Sequence, residues 1–183
     1  MSKAQRTRKQ QILDAALDVI VEEGVAGLTL RHVANEADTA LGSIAYYFDD
    51  KDGLISAAFQ HFTSISSQDF ANYYAGVKTL EQAREATITM LADTAGSRRD
   101  LILGAELYSL SLRRPRHRIV LSNWAQACRD ILSVYFDAET TLLLDALYEG
   151  LILHRAMHIG TYDSKMIRDI VERVTPANSF LQS

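Results

Sequence analysis

The chain has 183 residues, 48% of them hydrophobic, and a formal net charge of −4. That length suits one domain with a core, or a small module joined to a larger one, and the acidic balance excludes a generic basic coat protein for nucleic acid. A single cysteine, Cys128, excludes a disulfide framework or a cysteine-based zinc site within one chain and fits a reducing cytosol.

The N-terminus carries Lys3, Arg6, Arg8 and Lys9 with no acid among the first nine residues. Such a run reads either as a solvated tail or as an arm for a polyanion. Ile12, Ala16, Val19 and Ile20 then recur at helical spacing and end near Gly24. The apolar stretch 12–21 is broken by Asp14 and Asp18 and is too short to cross a bilayer. No small-residue cleavage site follows it, so the expectation is a soluble, cytoplasmic protein with no membrane partner.

Thr29 is a good N-cap for a second helix, with Leu30, Val33, Ala34 and Ala37 on one side. The tetrapeptide "ADTA" breaks it, and a third helix begins at Leu41. At 100° per residue Leu41, Ile44, Ala45 and Phe48 share one face, which suits burial. Gly42, Ser43, Tyr46 and Tyr47 share the other. Asp50 is the expected cap of a fourth helix running to about Tyr74. Further helices are expected near 80–95, 98–113, 117–136, 138–159 and 163–174. No segment alternates like a strand, only Pro115 and Pro176 interrupt the chain, and the fold class is all-α.

Two short helices joined by a tight turn form a helix-turn-helix, whose second helix enters the major groove. The hydroxyl-bearing, uncharged face of the third helix fits that role: glycine permits close approach, and hydroxyls bond to phosphates or base edges. Residues 28–59, "LTLRHVANEADTALGSIAYYFDDKDGLISAAF", together with the lead-in "ILDAALDVIVEEGVAGLTL", resemble the DNA-binding segment of TetR-type transcriptional regulators. The resemblance covers roughly residues 8–60. Beyond it the chain is similar only in length and helical texture.

The resemblance implies a DNA face made of Thr29 and Arg31, of Thr39, Ala40, Leu41, Gly42 and Ser43 at the start of the recognition helix, of Tyr46 and Tyr47 at its end, and of Lys51. It also implies residues 1–52 as arm and DNA-binding domain, residues 53–183 as ligand-binding and dimerisation domain, and the fourth helix, from 51 to about 74, as the link. Three positions depart from the family's pattern. Asp38 replaces the turn glycine, but aspartate tolerates a left-handed backbone. Ala40 replaces a capping serine and cannot cap, which leaves Thr39 or Asp38 to do so. Ala45 stands where a phosphate-binding tyrosine is frequent. Leu41 can pack inward or meet a thymine methyl.

Residues 142–153, "LLLDALYEGLIL", are apolar nearly all round, and "SKMIRDIVERV" adds an amphipathic helix. A helix of the first kind is buried on more than one side. The expected homodimer interface is Leu143, Leu147, Gly150, Leu151, Ile167, Ile170, Val171 and Val174, in a twofold pair that fits a palindromic operator. Met90, Tyr108, Trp124, Cys128, Tyr148, His154 and Met157 are the candidates for an effector pocket, with core packing as the plainer account of each. His154 and His158 stand four apart, yet residue 155 is arginine rather than glutamate, so no metal is expected. No cofactor motif is present.

"RRPRHR", residues 113–118, is the densest basic cluster and reads by default as a solvated loop. No catalytic spacing is present either. The resulting expectation is a dimeric, ligand-responsive regulator of double-stranded DNA, a repressor. The competing reading is a helical small-molecule binder without sequence-specific DNA binding.

Overall fold

A computed structural model of the chain describes residues 7–93 and 97–182. Lys3 and Arg6 lie outside the described residues. The rest is helical: α1 (Arg8–Gly27), α2 (Leu30–Glu36), α3 (Leu41–Tyr47), α4 (Lys51–Tyr73), α5 (Leu80–Asp93), α6 (Arg98–Arg113), α7 (Pro115–Leu132), α8 (Ala138–Ala156) and α9 (Ser164–Val174), followed by a 3-10 turn at Ala177–Ser179. Among the described residues the sole β feature is a bridge between Phe136 and Phe180.

The helices start where local chemistry provides a cap. Thr7 opens α1 with a capping box: its Oγ1 accepts from Gln10 N, and Gln10 Oε1 accepts from Thr7 N at 2.9 Å. Arg8 and Lys9 are therefore helical rather than part of a tail, and the Lys9 ammonium lies 5.9 Å from the centre of the Phe48 ring. Gly24, at φ +70°, kinks α1 near its end. Asp50 caps α4 through Gly53 N at 2.6 Å, and Asp163 caps α9 through Met166 N at 2.8 Å. Pro115 breaks the chain as expected, but it also begins α7, where the missing N–H costs nothing.

The chain forms two compact units. Among the described residues, the first comprises 7–65 and 102–121, the second 66–93, 97–101 and 122–182. The expected linker helix, α4, thus has residues in both, as do α6 and α7. In the first unit Ile12, Ala16, Val19, Ile20, Leu28, Val33, Ile44, Leu54 and Phe59 are buried. Glu106, on α6, accepts from Val25 N at 3.3 Å and so holds the bend that follows Gly24.

The second unit is built around α5, α8 and α9 and a run of stacked aromatics. Phe70, Tyr74 and Tyr135 stack at 5.8 and 5.4 Å, and Tyr148 meets Phe70 edge-on. Tyr74 shares a hydrogen bond with Thr87 at 2.8 Å, and its carbonyl accepts from the Tyr135 hydroxyl. Burial pushes the Tyr74 phenol far up, so it stays a neutral hydrogen-bonding group.

Candidate nucleic-acid interface

Thr29 begins α2 by accepting from His32 N at 3.1 Å, as its position predicts. After α2 the chain turns back at Asp38, whose φ of +45° is the left-handed conformation that a turn glycine would supply. Thr39 N donates to Ala34 O at 2.9 Å and closes the corner. Ala40 then occupies the N-cap of α3 with no side-chain bond, so neither Thr39 nor Asp38 substitutes as cap.

The outward face of α3 is wider than its periodicity predicts. Only Ile44 and Phe48 are buried. Ala45 faces solvent in place of the expected burial, and Leu41, at 45% exposure, takes the outward of its two alternatives, because a two-turn helix reaches the core with one strip of side chains. Tyr46 is 81% exposed and Tyr47 39%, their rings edge-on at 5.0 Å. A Cβ built at Gly42 would meet nothing within 4 Å, so packing within the chain does not require glycine there. Thr29, Arg31 and Ala40 are exposed, while Thr39, Ser43 and Lys51 are half-buried. The ten expected contact residues therefore line α2's start, the turn, α3 and α4's start, and none is sealed in the core.

The other candidate residues divide. Met90, Trp124, Cys128 and Tyr148 are buried in the second unit. Burial first, then Asp145 and Glu149, push the Cys128 thiol up to about 12. Burial first, and Cys128 next, push the Tyr148 phenol far up. Tyr108 belongs to the first unit. His154 and Met157 are exposed, and His154 Nδ1 lies 2.6 Å from the Tyr162 hydroxyl. Helix α8 stops at Ala156 and His158 has φ +54°, so the two histidines do not share a helix face. Among the described residues no metal-ligating group occurs. Sequence reasoning missed Phe70, Tyr74 and Tyr135, whose association comes from stacking across distant elements.

Of the expected dimer residues, Leu151, Ile167 and Val171 are buried within the single chain. They are a correction to the expected surface: α9 packs against α5 and α8, and its apolar stripe fills its own unit's core. Leu143 remains 47% exposed, Leu147, Gly150, Ile170 and Val174 are half-buried, and Leu142 and Met166 add exposed apolar area nearby in sequence.

Two family models match the chain. "Bacterial regulatory proteins, tetR family" matches residues 12–58, and "Tetracyclin repressor-like, C-terminal domain" matches residues 78–177, more than half of the chain. The chain belongs to the TetR family.

The second match extends the resemblance well beyond residues 8–60. A relative named HTH-type transcriptional regulator BetI, from Burkholderia thailandensis, is 30% identical over 168 residues and 86% of each chain. A solved Streptomyces coelicolor A3(2) protein described as a transcriptional regulator is 35% identical, with a TM-score of 0.87 over 93% of this chain and 99% of its own. The multidrug binding protein EbrR, solved with ethidium, is 32% identical, with a TM-score of 0.77 over 93% and 99%. This TetR-family chain is a DNA-binding transcriptional regulator with an N-terminal helix-turn-helix and a C-terminal helical domain, and the reading without DNA recognition is set aside. No described helix of this TetR-family regulator is long and apolar enough to cross a membrane.

Proposed function

We propose that the protein is a homodimeric, ligand-responsive repressor that reads a palindromic operator with α3. The observation that carries this reading is the open, uncharged face of Gly42, Tyr46 and Tyr47 on a helix anchored from behind by Ile44 and Phe48. Arg31, Thr29 and Lys51 flank that face and supply phosphate partners, and Thr39, Ala40, Leu41 and Ser43 meet base edges. Leu41 is the residue for a thymine methyl. Two such helices in a twofold pair would enter successive major grooves about 34–36 Å apart.

The dimer contact proposed is the exposed side of α8 around Leu143, with Leu147 and Gly150, flanked by Ile170 and Val174 of α9. The effector proposed is a small aromatic cation held in the second unit. Ethidium, which EbrR binds, is a planar cation of that kind. Supporting this, Phe70, Tyr74 and Tyr148 form an aromatic cluster, and Glu149 lies close enough to raise the nearby thiol, as does Asp145, which is paired with Arg129 at 3.1 Å. Ring faces and carboxylates together favour a desolvated cation. Such a ligand changes DNA binding only through unequal affinity for the competent and incompetent states of the dimer.

The decisive experiment isolates the duplex retained by the purified protein from its own genome, then measures its binding with and without ethidium, at concentrations that leave an unrelated DNA-binding protein on the same duplex because ethidium also intercalates into DNA. A palindromic site bound by two chains, released as the dye quenches Trp124 fluorescence, is expected. Binding by a single chain to sites without symmetry would overturn the dimeric reading, and undiminished binding with Trp124 quenched would overturn the repressor switch.

A further inference from the structure

The lysine that opens α4 stands inside an acidic collar. Asp49 and Asp50 precede Lys51, and Asp52 follows it. For a surface that meets phosphates this is unfavourable, since exposed like charges repel within a Debye length of about 8 Å. The basic cluster at residues 113–118 resolves the conflict, although it lies more than sixty residues further along the chain.

That cluster is a tight corner and not a loop. Arg114 N donates to Leu110 O at 2.9 Å, Arg118 N donates to Arg114 O at 3.2 Å, and Pro115 begins α7 between them. His117 is wholly buried, with Nε2 3.0 Å from Asp52 Oδ1, which docks the corner on the first turn of α4. Arg114 Nη1 lies 3.1 Å from the same oxygen. Arg116 Nη1 lies 3.6 Å from Asp52 Oδ2 and 3.9 Å from Asp50 Oδ1. Both guanidiniums remain more than half exposed. Two of the three collar carboxylates therefore carry a cation from the α6–α7 corner.

From this geometry we propose that the α6–α7 corner is part of the DNA-binding surface: Arg116, backed by Arg114, meets the same run of backbone phosphates as Lys51. Asp50 follows Tyr47 by three residues, so their Cα atoms are at most about 11 Å apart. Arg116, 3.9 Å from the Asp50 carboxylate, stands beside the residue that directly precedes Lys51 and follows the face assigned to DNA by three positions. Exposed ion pairs are weak and exchange partners at little cost. The guanidinium fork donates to a phosphate in the same bidentate way as to a carboxylate. In the free protein the arginines offset the collar; on DNA they turn toward the phosphates.

The inference rests on the reading of α3 and Lys51 as the DNA face, so the test carries Lys51→Gln beside Arg116→Gln and Arg116→Lys. Binding of each full-length variant to the retained genomic duplex and to an unrelated duplex is measured between 50 and 200 mM KCl. Losing one phosphate contact lowers the slope of log K against log salt by about 0.9. Arg116→Gln should therefore lose about threefold less affinity over that range than the parent, equally on both duplexes, and Arg116→Lys should restore the parental slope. A parental slope in Arg116→Gln, with a lowered slope in Lys51→Gln, overturns the proposal and leaves the α3 reading standing. Parental slopes in both overturn the two together. A lowered slope that Arg116→Lys does not restore overturns it as well, because the corner would then act through its fold and not its charge.

Discussion

Helices α3 and α9 make opposite uses of the same material. Both are short and both carry a stripe of apolar side chains. In α9 the stripe, with Ile167 and Val171, is buried against its own unit. In α3 only Ile44 and the flanking Phe48 are buried, and Leu41, Ala45, Tyr46 and Tyr47 are left open. Burying an aliphatic side chain contributes roughly 1.5–3 kcal/mol, so α3 forgoes stability that α9 obtains. An exposed apolar face on a helix held from behind is what a partner surface requires.

The sharpest way to break the contrast is a pair of substitutions on α3. Ile44→Ala should cost about 2–5 kcal/mol of unfolding free energy in urea, as should Ile167→Ala on α9. Tyr46→Ala should stay within about 0.5 kcal/mol of the parent yet lose operator affinity. Equal destabilisation by Ile44→Ala and Tyr46→Ala would show that α3 is core on both sides.

A smaller effect separates the two helices of the motif. Thr29 caps α2 and Ala40 leaves α3 uncapped. Thr29→Ala should therefore lower stability by about 1 kcal/mol, and Ala40→Ser should raise it by about 0.5–1 kcal/mol. A thermal scan of the two variants checks both signs. No gain from Ala40→Ser would mean that the free N–H groups of α3 already have partners.

The least of these effects depends on pH. The hydrogen bond from His117, then the charges of His117 and Arg114, hold the Asp52 carboxyl below the usual carboxylate range against the opposing pull of burial. A depressed folded pKa stabilises above the unfolded value of about 3.9 and loses that stabilisation as pH falls through the folded value. Urea midpoints should therefore drop further for the parent than for Asp52→Asn as acid is added below about pH 4. Glu85, lowered by its hydrogen bond to Arg168, contributes equally to both proteins and cancels. Parallel curves would remove Asp52 from the account.

Much of the first unit was legible because its signals are local. Thr29, Asp50 and the left-handed Asp38 each act within three residues of their own position, and each does what its chemistry predicts. The exposed face of Gly42, Tyr46 and Tyr47 followed from helical spacing alone. What stayed hidden was set by distance along the chain. Periodicity cannot tell that the core reaches only one strip of α3, so it places Ala45 inward and leaves Leu41 open between the core and a thymine methyl. The α6–α7 corner read as a solvated loop because its partner, Asp52, is 65 residues from His117. Leu151, Ile167 and Val171 read as interface because a stripe looks the same whether a chain or its twin covers it. The aromatic stack of Phe70, Tyr74 and Tyr135 had no sequence signature at all.

The setting of Cys128 has a chemical consequence. It is the only cysteine, it is buried, and its thiol is pushed up to about 12. Oxidants and electrophiles attack the thiolate, which at neutral pH would be on the order of one molecule in 10^5. Peroxide or an alkylating agent should therefore pass the native protein by, and only unfolding should open this sulfur to labelling.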